Sequence, residues 1–375
     1  MLNRTPRRRP TRAPLYALAL CLALAPAAPN ARRQVSQTQT PRAQASPPPS
    51  PAPPPQPAPP AQGAAPSTPQ TAAQASTQAV DQPAAKFGFY VVDGSNRAVA
   101  DVRREDVSLA VDGAPQAVTY FAREESPVSY GLVIDNSGSV RQILDMLVRT
   151  GTTLVAANRP EDETFVMRFV DPARTNILED FTSDKQALAS ALADMYVEGG
   201  QTAVIDAIYR AAEHTAERAD VNRRLALVVI TDGEDRGSSH KLEELTQLLR
   251  REGMRVFVVG LTGLLDNTGS FIHQNSREKA TTLLQTVSAE SGGRAFFPTF
   301  GKKVRDELAD ATREIGEGLR AHYVVGFAAA SAAADGKFHK VQIKVAEGSS
   351  KGKRKVVAAP GYYAAGGGAK PTGKE

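Results

Sequence analysis

The sequence predicts a doubly wound α/β domain with a mostly parallel sheet, carrying a small antiparallel β appendage formed from its N- and C-terminal flanks. Two observations predict the domain. Continuous apolar runs (Tyr130–Ile134, Thr164–Val170, Leu225–Ile230 and Arg255–Gly260) alternate with stretches of helical periodicity. Such runs suit strands buried on both faces, as in a sheet covered by helices on either side. A third observation predicts the appendage: the flanks alternate polar and apolar residues and are punctuated by turn dipeptides such as Asp112-Gly113.

Element by element, Phe87–Asp93 reads as a strand followed by a turn at Asp93-Gly94-Ser95-Asn96. Val107–Val111 and Ala117–Phe121 read as a hairpin about Asp112-Gly113. Residues 86–123 are therefore expected to form an antiparallel unit of about three strands that must pack on something else. After the strand Tyr130–Ile134, a helix over about Val140–Asn158 places Ile143, Leu144, Leu147, Leu154 and Val155 on one face. Asn176–Phe181 is expected at a sheet edge. Ser183 is the expected cap of a helix reaching Met195, and Thr202 opens another to about Glu217. Helices near Leu242–Arg250, Ala280–Glu290 and Lys303–Leu319 flank the strand Arg294–Phe297, and Gly263–Glu278 reads as a long polar loop. Tyr323–Phe327, His339–Val345 and Arg354–Val357 return to strands before Pro360-Gly-Tyr-Tyr363.

The termini read differently. Arg4, Arg7, Arg8, Arg9 and Arg12 precede an apolar run from Leu15 to Ala25 and then small residues, the layout of a secretory signal peptide and too short to span a bilayer. Cys21, the only cysteine, falls inside it. An exported chain without that cysteine has no disulfide framework and must be held by its core. Residues 30–84 are Pro, Ala and Gln rich and are expected to be a disordered, extended spacer. The expected organisation is thus 1–29 signal peptide, 30–84 linker, 85–126 N-terminal β segment, 127–321 α/β domain, 322–364 C-terminal β segment and 365–375 tail. The expected destination is the periplasm, the cell envelope or the exterior.

Charge excludes one class of partner. The chain carries 45 basic and 40 acidic residues, but residues 1–29 hold five arginines and no acid, so the remainder is balanced. Residues 85–322 have 28 basic and 36 acidic groups, and residues 323–375 have nine and three. The basic pI belongs to the leader and does not argue for nucleic acid. No Gly-x-Ser-x-Gly elbow or phosphate-binding loop is present. His273, His322 and His339 lack Cys or acidic partners at metal spacing, His214 and His240 are expected on the surface, and Lys351–Lys355 reads as a solvated basic turn.

What stands out is a set of oxygen-bearing side chains at strand ends. Asp135-Asn-Ser-Gly-Ser139 closes one strand, and Thr231-Asp232-Gly233 closes the most apolar one. Gly199-Gly-Gln-Thr202 opens a helix between them. Ligands of open α/β sheets bind at the carboxyl ends of the strands, near the switch point. Asp135, Ser137, Ser139, Thr202 and Asp232 together suit a hard cation such as Mg²⁺, or Mn²⁺ or Ca²⁺, and offer none of the sulfur or imidazole that zinc prefers. Three neutral hydroxyls leave the ion's charge partly uncompensated, so it can attract an acidic group from a protein partner.

These five residues, in this order, resemble the metal-ion-dependent adhesion site of von Willebrand factor A-type domains. That resemblance implies a Rossmann-like sheet with one short antiparallel edge strand, assigned to residues 176–181. The flanking segments, from Val107–Gly113 to Gly361-Tyr-Tyr363, narrow it to the bacterial VWFA-related family first described in acidobacteria. The implied function is a non-enzymatic adhesion or protein-interaction module. Two alternatives stand beside it: a metal-assisted phosphoester hydrolase with Glu234 or Asp235 as general base, and an envelope scaffold with a purely stabilising ion. Otherwise Asp232-Gly-Glu-Asp235 reads as a solvated loop.

Overall fold

The computed structural model describes residues 85–218, 222–266, 271–299, 301–328, 335–347 and 353–364. The expected leader, linker and tail lie outside them, as do parts of the polar stretch 263–278 and of the basic turn. The central sheet contains β5 (Val128–Asp135), β6 (Glu163–Phe169), β7 (Thr175–Thr182), β8 (Arg224–Thr231), β9 (Arg255–Gly260) and β10 (Arg294–Phe296). Their order is β10-β9-β8-β5-β6-β7, parallel except for β7, which runs antiparallel along the edge of β6. This is the predicted α/β architecture.

Alternation along the strands builds two cores, one on each face. Tyr130, Leu132 and Ile134 of β5 join α1 (Leu144–Ala156), α2 (Lys185–Ala193) and α6 (Val304–Arg320) in one. Val133 and its neighbours join α3 (Val204–Glu217), α4 (Leu242–Arg251) and α5 (Phe271–Ser291) in the other. No helix among the described residues is long and apolar enough to cross a membrane.

Several local expectations are corrected. The helix expected from Val140 begins as a 3-10 turn over Gly138–Ile143 and becomes α-helical only at Leu144. Asp184, not Ser183, caps α2, because its carboxylate accepts from the N–H groups of Gln186 and Ala187. Much of the stretch read as a polar loop is ordered: a 3-10 turn spans Thr262–Asp266, and α5 starts at Phe271.

The flanks depart most from expectation. Here β1 (Ala85–Val92), β2 (Val107–Val111), β3 (Ala114–Gln116) and β4 (Val118–Arg123) do not form a sheet of their own. They interleave with β11 (Tyr323–Phe327), β12 (Phe338–Val345), β13 (Lys355–Ala358) and β14 (Gly361–Tyr363) in two antiparallel four-stranded sheets, β13-β1-β11-β4 and β14-β12-β2-β3. The hairpin turns at Asp112 and Gly113, both at positive φ, as the dipeptide signalled, but its second strand is β3 and not the expected Ala117–Phe121, most of which lies in β4 and pairs with β11 in the other sheet. A third core of Phe87, Phe89, Val91, Leu109, Val111, Val325 and Phe327 fills the appendage. The opposite face of β1 sends Tyr90 and Val92 into the core that contains α6. One strand is thereby buried on both sides and fastens the appendage to the α/β domain.

His339, without an acidic partner at metal spacing in the sequence, finds two through tertiary pairing. His339 on β12 lies between Asp112, at 2.8 Å, and Asp335, at 3.2 Å. Its hydrogen bonds to these two carboxylates raise its pKa. His214, expected on the surface, is half-buried: it packs against the rings of Phe165 and Phe181 and reaches Asp180 at 2.9 Å.

Candidate functional site

The strand order reverses between β5 and β8: later strands add on the β6 side of β5, and the chain then crosses to lay down β8, β9 and β10 on the other. A crevice forms where connections diverge in this way. The carboxyl ends of these two strands carry Asp135 and Thr231-Asp232, and both aspartates are fully buried.

The first loop turns back on its own aspartate. Asp135 Oδ1 accepts from the Ser137 N–H at 2.9 Å, and its Oδ2 accepts from the Thr231 hydroxyl of the neighbouring strand at 2.6 Å. The Ser137 and Ser139 hydroxyls meet at 2.9 Å, and Ser139 lies close enough to Asp232 to favour its charged carboxylate. Asp232 Oδ1 accepts from the Glu234 N–H at 3.0 Å. Asp135, Ser137, Ser139 and Asp232 are thus joined in one network.

Thr202 arrives by backbone contacts. The Ala203 N–H donates to the Val170 carbonyl beyond β6 at 2.8 Å, and the Thr202 carbonyl accepts from the Arg236 N–H at 2.9 Å. The glycine pair before it carries φ of +76° at Gly199 and +133° at Gly200, a conformation that a side chain would strain. A Cβ on Gly138 would lie 3.8 Å from the Gly199 Cα, so this loop abuts the serine turn. Among the described residues the Thr202 hydroxyl makes no hydrogen bond to the other four side chains.

The fastening of this third loop was missed in the sequence. Asp235, expected in a solvated loop, caps α3 from a distance: its Oδ1 accepts from the Val204 N–H at 2.7 Å and the Ile205 N–H at 3.3 Å. Asp206 returns the contact by accepting from the N–H groups of Ser239 and His240, each at 2.8 Å, and from the His240 ring at 2.7 Å. His240 in turn stacks on Tyr209 at 3.9 Å. No local signal could have revealed a cap supplied by a residue about thirty positions away. Asp235→Ala is expected to cost about 1–2 kcal/mol, as losing a cap does, and to weaken any cation response by loosening Thr202. Chemical denaturation and a Mg²⁺ titration of the variant read the two effects.

Electrostatically the site is poised for a cation. Burial, and next the charge of Asp232, push the Asp135 carboxyl up to about 7. Burial also raises Asp232. The Asp232 Oδ2 is buried without a hydrogen-bond partner, and both carboxamide atoms of the buried Asn136 lack one too. Two adjacent buried carboxylates, one with an orphaned oxygen, are unfavourable without a neutralising charge. Hydroxyl and carboxylate oxygens are also the donors that a hard cation takes. The five residues therefore fit such an ion. Among the described residues no group of three or more His, Cys, Asp or Glu forms a metal cluster, so this hydroxyl-rich set differs from a carboxylate cage.

The family model for the von Willebrand factor type A domain matches residues 131–307, from within β5 into α6. Residues 131–307 are a von Willebrand factor type A domain. Solved structures similar to this chain include an aerotolerance-related membrane protein from Bacteroides fragilis, at 21% identity over 51% of this chain and 99% of that one, with a TM-score of 0.39. Another is the conserved hypothetical protein BatB from Bacteroides thetaiotaomicron, at 18% identity over the same shares and the same TM-score. A von Willebrand factor type A structure from Catenulispora acidiphila is 11% identical over 74% of each chain, with a TM-score of 0.41. No curated protein matches. Domains of the von Willebrand factor A type are protein-binding modules and generally non-catalytic.

Proposed function

We propose that this protein is an exported adhesion module whose von Willebrand factor A domain grips an acidic side chain of a partner protein through a Mg²⁺-type ion. Asp135, Ser137, Ser139, Thr202 and Asp232 would hold the ion. The observation that carries the reading is the buried Asp135–Asp232 pair, with its orphaned Asp232 oxygen, beside the paired serine hydroxyls. Once bound, the ion supplies an electrophilic contact for a carboxylate oxygen. The side chains of this chain orient it and leave its charge partly uncompensated. The rim suits a protein ligand: Tyr196, on the loop leading to Gly199, is 55% exposed and has the Arg168 guanidinium 4.4 Å from its ring. An exposed tyrosine of this kind often carries much of an interface's energy. Export rests on the leader's charge and apolar pattern.

The hydrolase alternative loses its bases in this geometry. The Asp235 carboxylate is occupied in capping α3 and in accepting from Ser238, and Glu234 is paired with Arg236. The test is capture of proteins from an envelope extract on the immobilised chain, in Mg²⁺ and in EDTA. Capture should require Mg²⁺ and should fall at least about tenfold in Ser139→Ala and in Thr202→Ala. Capture unchanged by EDTA would remove the metal bridge. Mg²⁺ uptake without any captured partner would favour the scaffold.

A further inference from the structure

At the opposite end of the sheet, where β8 and β9 begin, a cleft of about 1130 Å³ separates the α/β domain from the β appendage. It shares no residue with the candidate cation site. Arg224 opens β8 and Arg255 opens β9, with Ala226 as the register partner of Arg255. Side chains two apart on a strand share a face, so both guanidiniums stand on the same side of the sheet. His322, one residue before β11, completes the group. It lies across Gly88 of β1 so closely that a Cβ there would strike its ring. Tyr362, partly buried against the appendage core, adds aromatic wall.

The charge of these two arginines is not answered. Arg255 donates to His322 Nδ1 at 2.6 Å and lies 5.4 Å from the Tyr90 ring. Arg224 donates to the carbonyls of Ser126, at 2.9 Å, and Arg320, at 3.2 Å, while its Nε is buried without a partner. Among the described residues no carboxylate stands within ion-pairing distance of either. Other arginines in the cleft wall are paired, Arg223 with Glu163 and Arg250 with Glu290. Asp162, and more weakly Glu124, act on Arg224 only at longer range.

Burial lowers both guanidiniums to about 10. Burial, then the charges of Arg255 and Arg224, hold His322 down at about 2, so its ring is neutral. Accepting at Nδ1 leaves His322 an Nε2–H donor. Two partly desolvated guanidiniums on neighbouring strands, without counter-ions, are costly unless an anion joins them. The guanidinium fork matches phosphate oxygens in a bidentate manner.

We propose that this cleft binds a small phosphate monoester, with the dianionic head between Arg224 and Arg255 and the organic remainder against Tyr362. A dianion matches two single positive charges where a monocarboxylate would leave one unanswered.

Calorimetric titration of the full chain with phenyl phosphate and with inorganic phosphate, at constant ionic strength and in EDTA, tests this. Saturable binding of both is expected, tighter for phenyl phosphate, with acetate at least about tenfold weaker than either. Arg255→Gln and Arg224→Gln should each weaken phosphate by about tenfold or more. Arg149→Gln, on the exposed face of α1, should leave it unchanged. Should a glutamine variant fail to fold, ³¹P line broadening with Arg255→Lys, which keeps the charge but loses the fork, gives the same reading through weakened binding. Absence of saturable binding, binding that survives both glutamine variants, or preference for acetate would each overturn the assignment. Because EDTA is present, none of these outcomes depends on the cation site.

Discussion

Asp135→Asn is expected to raise the melting temperature of the metal-free protein and to abolish its stabilisation by Mg²⁺. Asp135 is fully buried beside a second buried carboxylate, and both groups are pushed upward chiefly by that burial. Removing one charge relieves desolvation and repulsion together. The amide can still accept from the Ser137 N–H and can donate to the Thr231 hydroxyl, so the turn is retained. A gain of about 2 kcal/mol, on the order of 5 °C for a domain of this size, is the expected scale. In wild type the proposed ion would relieve the same repulsion instead, so Mg²⁺ should raise its melting temperature and leave the variant unmoved. Thermal melts in EDTA and in Mg²⁺ read both effects. A variant less stable than wild type in EDTA, yet still responsive to Mg²⁺, would contradict the placement of this carboxylate.

Gly293→Ala is expected to be among the most damaging small substitutions in the fold. Gly293 lies between the end of α5 and β10, and its N–H donates to the Ser288 carbonyl at 2.8 Å. A Cβ there would stand 2.6 Å from the Val256 carbonyl carbon and closer still to its oxygen. The obstacle is backbone inside a parallel ladder, which cannot rotate away as a side chain can. A loss of at least about 3 kcal/mol follows from overpacking of this kind. Gly253→Ala makes a clean comparison. It sits at φ +61° with nothing within 4 Å of the added methyl, so only the conformational penalty applies, about 1 kcal/mol. Urea denaturation of the two variants should separate them clearly. Equal midpoints would mean that β9 and the Gly293 turn are less closely packed than the structure has them.

How much of this was legible from residues alone depends on how far each determinant reaches along the chain. The central strands of the α/β sheet announced themselves because strands buried on both faces must be apolar throughout, and β5 and β8 are such runs. The Asp112-Gly113 turn was legible for a local reason, since two consecutive residues at positive φ demand those types. The positions of Asp135 and Asp232 at strand ends could be read from where the apolar runs stop. The start of α5 could not, because polar residues there mimic a loop and helical hydrogen bonding leaves no mark in composition.

Sequence by itself determined the α/β layering, the edge position of β7 and the hydroxyl-and-carboxylate character of the candidate site. Those properties follow from periodicity and residue type within short windows. Only the tertiary structure decided that β1 runs between β11 and β13, that Asp235 caps a helix begun thirty residues earlier, and that Arg224, Arg255 and His322 share one cleft. Each of those arrangements joins residues distant in the chain through hydrogen bonds or shared burial. Such pairings are selected by the free energy of the whole packed molecule, which no local pattern encodes.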